Sequence, residues 1–169
     1  MTNDRRGSFE PDFLRILETF GPPLRRLCSV YLRDFAEQED LFQNIATAIW
    51  TALPRFRADS SERTWVYRIA HNIALTYSAK HRRLLCSQQP CETLQCVPAV
   101  EDDMRHRALL EAVQRLGTAD QALVTLHLEG LTAREIGEVT GLTANNVAVR
   151  LSRLRRKLTL ALRGKEVCE

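Results

Sequence analysis

Long apolar runs are missing from this sequence. No stretch of 18 consecutive apolar residues occurs, so no membrane-spanning helix and no direct membrane insertion are expected. The opening MTNDRRGSFEPDF holds no apolar core of signal-peptide type, and the chain is expected to work in the cytoplasm. Paired cysteines are missing as well. The five cysteines are an odd number, which argues against a disulfide framework. Cys86, Cys91 and Cys96 have four residues between each, with no CxxC and no paired histidine nearby, so free thiols and no metal are expected. There is no glycine-rich phosphate loop. His71, His81, His106 and His127 are scattered, and no carboxylate pair has a suitable setting. An enzyme, a cofactor and a small-molecule substrate are therefore not expected. Strand-like alternation persists nowhere, and the fold class expected is all-α.

Acidic residues are missing from one long stretch. Between Val139 and Lys165 there is none, but there are seven bases: Arg150, Arg153, Arg155, Arg156, Lys157, Arg163 and Lys165. The whole chain is only +3 at neutral pH, because charge is unevenly spread. Residues 84–103 carry four acids and no base, while residues 104–169 carry 11 bases and seven acids. A basic run of this density points to a polyanion partner, against the plainer reading of a solvated helix face.

What is present is two helical blocks around a connector. The segment 84–103 contains Pro90, Pro98 and several glutamines, has no apolar period, and reads as a flexible linker. It separates a domain at 9–83 from one at 104–165. In the first, Phe13, Leu14, Ile16, Leu17 and Phe20 make a short helix ended by Gly21. Pro22 and Pro23 suit the first turn of a second helix. A third carries Leu41, Ile45 and Ile49, with Glu37, Glu39 and Asp40 at the positive end of its dipole, and closes at Pro54. Asp59 and Glu62 have capping-box spacing for a fourth, Ser60 to about Arg83, whose stripe is Trp65, Ile69 and Ile73 with Val66 and Ala70. In the second domain, Thr118 with Gln121 and Thr132 with Glu135 have the same spacing, and Gly117, Gly130 and Gly141 are stops.

The run LTAREIGEVTGLTANNVAVRLSRLRRKL carries the most information. A short helix, a glycine turn and a longer basic helix, held by Ile136, Val139, Leu142, Val147 and Leu151, form a helix-turn-helix at 132–158. Gly137 stands where the two helices cross closely. In such a motif the second helix enters the major groove by its N-terminus, after a cap at Thr143. Asn145 and Asn146 in its first turn can read adenine edges. Arg150 and Arg153, with Ser152, lie farther along, and Arg155 and Arg156 hold the phosphate backbone. The plain alternative is a helical hairpin with a basic exterior.

The segment AEQEDLFQNIATAIWTALPRFRADSSERTWVYRIAHNIAL resembles the second region of bacterial sigma factors of the extracytoplasmic-function class. The second block resembles their fourth region. The resemblance implies a protein that binds core RNA polymerase, directs it to promoter DNA and helps open the duplex. It implies docking on the clamp of the largest subunit through Glu39, Asp40, Gln43 and Asn44, and contact with the flap of the second. It implies a minus-ten surface of Arg55, Arg57, Ser60, Ser61, Arg63, Thr64, Trp65, Arg68, His71 and Asn72. The helix-turn-helix then reads the minus-thirty-five element, with Thr143 among its contacts. Class analogy also implies an anti-sigma partner, often membrane-anchored, wedged between the blocks, and packing of the blocks on one another would hide DNA binding. Trp65 lies on the Ile69 and Ile73 stripe, which favours a core position over a stacking surface; His71 reads equally as plain surface. Glu62 departs from the family's usual aromatic, and Ala148 stands where Lys is common.

Two other readings are distinct. A stand-alone helix-turn-helix regulator predicts a palindromic site without polymerase, with half-sites about one helical turn apart. A metal or redox sensor built on the cysteines and histidines lacks ligand spacing.

Overall fold

The structure, a computed structural model, describes residues 9–85 and 101–166. Within them the regular elements are α1 (Glu10–Tyr31), α2 (Phe35–Ala52), a 3-10 turn at Leu53–Arg55, α3 (Glu62–Leu85), α4 (Glu101–Gln114), α5 (Thr118–Leu128), α6 (Ala133–Thr140) and α7 (Ala144–Glu166). The fold is all-α. Helix α3 runs to Leu85 and α4 begins at Glu101, and most of the expected linker, 84–103, lies outside the described residues. Cys86, Cys91, Cys96 and Cys168 lie outside the described residues.

Helix α1 corrects the expectation of two helices broken at Gly21. It continues through Pro22 and Pro23. An internal proline costs about 3 kcal/mol, through a lost hydrogen bond and a ring clash. Here the apolar stripe carries on across the break: Ile16, Leu24, Leu27 and Cys28 are all at most 1% exposed. Glu18 and Thr19, whose carbonyls lose their amide partners, are exposed, where solvent can reach them. Burial of four side chains on one line outweighs the local cost. The same burial pushes the Cys28 thiol up to about 12, so it stays protonated.

Capping follows the local signals in some places and departs from them in others. Asp34 caps α2 by accepting from the Glu37 N–H at 3.0 Å. At α3 the cap is Ser61, which accepts from the Thr64 N–H at 3.1 Å, not Asp59. Glu62 is drawn instead to Arg15 of α1, which donates to its carboxylate at 2.9 Å and holds it below the usual carboxylate range. Thr118 makes no side-chain cap either; Gly117 occupies the N-cap of α5, and Gln121 donates to the Gln114 carbonyl at 2.9 Å. The box at α6 forms as read: Thr132 accepts from the Glu135 N–H at 3.3 Å, and the Glu135 carboxylate accepts from the Thr132 N–H at 2.8 Å.

Helices α1–α3 form one block and α4–α7 the other, and the two pack together. Helix α3 lies against α6 and α5, and α1 lies against α5 and α4. One continuous apolar core results, running from Ile16, Leu41 and Ile45 through Tyr67 to Leu123, Ile136 and Leu154.

Candidate nucleic-acid interface

The loop after α2 and the first three turns of α3 enclose a cleft. The apolar stripe of α2 ends in the 3-10 turn, and the chain then crosses Ala58 in a left-handed conformation at φ 57° before Ser61 restarts a helix. Trp65, Arg68, Ile69 and Asn72 recur at helical spacing and so share one wall. Arg55, Phe56, Arg57, Asp59 and Ser60 make the other wall of a cavity of about 360 Å³. That lies at the lower end of the ~300–1,000 Å³ range of small-ligand pockets. Phe56 and Trp65 form its aromatic floor, with ring centroids 4.8 Å apart and tilted by 41°. Arg68 donates to Ser60 Oγ at 3.0 Å, tying the helix wall to the loop wall. Three guanidinium groups meet one carboxylate, Asp59. A cationic rim over aromatic rings suits an unstacked base with its phosphates.

Not every expected member of the minus-ten set reaches this cleft. Thr64 is 1% exposed, and its hydroxyl pairs with Ser61 Oγ at 2.8 Å, a helix-start role. Ser61 is the cap. Arg63 points to the second block, where it donates to the Glu129 carbonyl. His71 is 5% exposed, in the core between α1 and α3, with its Nδ1 3.4 Å from the Tyr31 hydroxyl. The reason is common to Thr64 and His71. Helix α3 packs against α1 and α2 on one side and α6 on another, so it buries more than the one stripe expected. Tyr67, absent from the expected set, is 1% exposed and stacks edge-on to Phe20 at 6.3 Å. Trp65 is half-buried and serves both core and cleft.

Burial lowers the His71 pKa below its ordinary value. The unfolded chain therefore binds more protons than the folded one between the depressed and ordinary values, and stability falls as pH drops through about 6.5. Melting by calorimetry at pH 7.5 and 5.5 is expected to show a drop of a few degrees, largely abolished in His71→Gln.

On α2, Asp40, Gln43 and Asn44 are exposed together. Glu39 is not in that row, because it pairs with Arg25, whose guanidinium also lies 4.1 Å over the Phe42 ring.

In the second block the helix-turn-helix is built as read. A Cβ on Gly137 would stand 2.5 Å from the Leu142 carbonyl oxygen, so only glycine permits the crossing of α6 and α7. Gly141 caps α6 in the left-handed region at φ 77°. Thr143 accepts from the Asn146 N–H at 3.3 Å, the cap expected for α7. Val147, Leu154 and Leu158 bury one face of α7, which turns Asn145, Asn146, Ser152, Arg153, Arg155 and Arg156 outward. Arg150 differs. It donates to Asp120 of α5 at 2.6 Å and is half-buried, so it braces the motif.

A cation-rimmed cleft on one helical block and a recognition helix with no acid before Glu166 on the other define a two-block, DNA-binding class of protein. The chain belongs to the sigma-70 family, in its extracytoplasmic-function class: residues 16–84 match sigma-70 region 2, and residues 106–158 match sigma-70 region 4. It is similar to the RNA polymerase sigma factor NccH of Alcaligenes xylosoxydans xylosoxydans, 25% identical over 165 residues, covering 92% of this chain and 89% of that one. Among solved structures it is similar to the sigma factor RpoE of Bartonella quintana, in complex with the anti-sigma factor NepR. There the TM-score is 0.77 at 21% identity, over 90% of this chain and 97% of that one. It is also similar to CnrH in complex with the cytosolic domain of CnrY, at TM-score 0.69 and 21% identity, over 95% and 94% of the two chains. Among the described residues no helix is long and apolar enough to cross a membrane, and no three metal-ligating side chains cluster.

Proposed function

We propose that this chain binds core RNA polymerase, directs it to specific promoters and helps open the minus-ten region, without catalytic activity of its own. The observation that carries this reading is the cleft of Arg55, Arg57, Arg68 and Asn72 over the Phe56–Trp65 floor. A regulator that only reads duplex DNA has no use for a pocket suited to an unstacked base, whereas an opening factor needs one. Asp40, Gln43 and Asn44 offer an exposed acidic and amide surface to the basic side of a polymerase clamp helix. Asn145, Asn146 and Arg153 of α7 read the minus-thirty-five element, and Ser152, Arg155 and Arg156 hold its backbone. The flap of the second polymerase subunit contacts the second block. An anti-sigma protein is the regulatory partner, and the chain works in the cytoplasm, held at the inner membrane where that partner is anchored there.

Transcription from a genomic library by purified core polymerase, with and without this protein, tests the reading. Transcript starts that share two motifs at fixed spacing, and that need the protein, are expected. Loss of core binding altogether would overturn it in favour of a stand-alone regulator.

A further inference from the structure

One side chain on the recognition helix breaks the pattern around it. Val149 is 43% exposed and lies outside the hydrophobic core. At about 100° per residue, a position nine before Leu158 points to the opposite side of the helix. Leu158 is buried, as are Val147 and Leu154, so Val149 stands at the middle of the outward face of α7. On that face Asn145 lies one turn earlier and Arg153 one turn later, with Asn146 and Ser152 to the sides, and all four are exposed. A single exposed apolar side chain needs no explanation by itself, and Phe35 and Leu160 are others. Val149 differs by its place, between an amide and a guanidinium on the face that meets DNA. Nor does it serve the helix, since a β-branched residue is a poorer helix former than alanine.

We propose that Val149 is a specificity-determining residue, which packs on the C5 methyl of a thymine in the minus-thirty-five element. The proposal rests on the promoter reading of α7 and adds the identity of one base. At 1.5 Å per residue, the row Asn145, Val149, Arg153 rises about 12 Å along the helix. That length spans roughly three to four base-pair steps of 3.4 Å, so the middle of the row faces a base pair between those at its polar ends. In the major groove the edges of A, G and C offer hydrogen-bonding groups and no methyl; thymine alone adds one. Valine can neither donate nor accept. Against the other bases it strips water from a polar group and leaves that group unpaired, which weakens binding. Against thymine it buries alkyl on alkyl. One side chain thus favours one base and disfavours the rest.

Deoxyuridine tests this, because it lacks only the C5 methyl and keeps the hydrogen-bonding groups of thymine. A complex of core polymerase and the full chain first selects duplexes from a pool randomised across the minus-thirty-five element. Each thymine of the selected element, on either strand, is then replaced singly, and binding is measured by competition. One replacement is expected to weaken binding roughly three- to fivefold, the effect of one buried methyl. In Val149→Ala that penalty should vanish while the other base preferences hold, a coupling that a double-mutant cycle reads directly. Val149→Thr retains one of the two branch methyls and should keep part of the penalty. The slope of log affinity on log salt should stay as in the parent, because no phosphate contact is lost. Melting temperature should not fall in Val149→Ala, whereas a merely structural valine predicts that it does. A selected element without thymine, a parent indifferent to every replacement, or a penalty that survives in Val149→Ala overturns the assignment. If the chain does not bind core polymerase, the promoter reading fails. The same replacements are then made on duplexes selected by the chain alone, where methyl dependence through Val149 stands or falls by itself. A chain that selects no duplex overturns both.

Discussion

Gly137→Ala is expected to destabilise the chain at the helix-turn-helix. In an exposed helix interior this change stabilises, by about 1 kcal/mol, because glycine spends more backbone entropy than alanine. The sign reverses here. The new Cβ would meet the Leu142 carbonyl oxygen at 2.5 Å, and that atom is backbone. It cannot swing aside as a long side chain can. It belongs to the turn fixed by Gly141 in the left-handed region on one side and by the Thr143 cap on the other. Forcing α6 and α7 apart also loosens Ile136 and Val147, both 0% exposed. Overpacking costs about 1–3 kcal/mol, with the upper end expected where backbone must move. In a chain of this size that lowers the melting temperature by roughly 5–10 °C. Calorimetry on the whole chain reads the shift, and binding to a minus-thirty-five duplex should fall with it. Gly117→Ser is the control. A Cβ there meets nothing within 4 Å, and serine is the better N-cap for α5, so a small gain is expected. A melting temperature for Gly137→Ala at or above that of the parent chain would mean that the crossing is looser than its geometry states.

The contrast between these two glycines bears on what a sequence of this kind discloses. The helix-turn-helix was legible because its signals are local. Thr132 and Glu135 cap within four residues, Gly141 needs only its own dihedral angles, and Thr143 bonds three residues on. The first block was less legible because distant partners decide it. Pro22 and Pro23 read as a helix start, yet a helix continues through them since Leu24, Leu27 and Cys28 are all buried. Asp59 and Glu62 had the spacing of a capping box, but Arg15, 47 residues away, claims Glu62. His71 and Thr64 were read on the DNA side because one apolar stripe was assigned to α3. Its packing on α1 and α2 as well as on α6 buries a second one. Tyr67 lay on that second stripe and had no local mark. Glu129 left one trace: an acid between α5 and the turn, in a block whose balance is basic. Nothing near it in sequence says that Arg26, 103 residues earlier, will pair with it. Arg150 shows the same limit within a block, since Asp120, 30 residues away, takes a guanidinium that reads as a base contact.

Trp65→Ala is expected to cost the protein most of its grip on single-stranded minus-ten DNA. Stacking of a base on an aromatic side chain contributes about 1–3 kcal/mol, which is roughly five- to 150-fold in affinity. The cleft offers Trp65 and Phe56 as its only rings, 4.8 Å apart, and loss of the indole leaves Phe56 without the surface that positions it. Trp65 is also half-buried against the core, so a purely structural role makes a different prediction. Under that role, melting temperature falls and affinity changes only through unfolding. The two are separated by temperature and by a conservative variant. At a temperature where Trp65→Ala remains fully helical, affinity for a fluorescent minus-ten oligonucleotide, measured with core polymerase present, should drop by at least about fivefold. Affinity for a minus-thirty-five duplex should not change, because α7 is untouched. Trp65→Phe keeps a flat ring on the floor and should recover most of the loss. Arg57→Ala at the rim should behave otherwise: a smaller loss, together with a salt slope shallower by about 0.7, as one phosphate contact on a single strand is removed. If Trp65→Ala binds the oligonucleotide as the parent does while melting lower, the indole is core alone. The cleft would then grip DNA through its arginines and Asn72, without stacking.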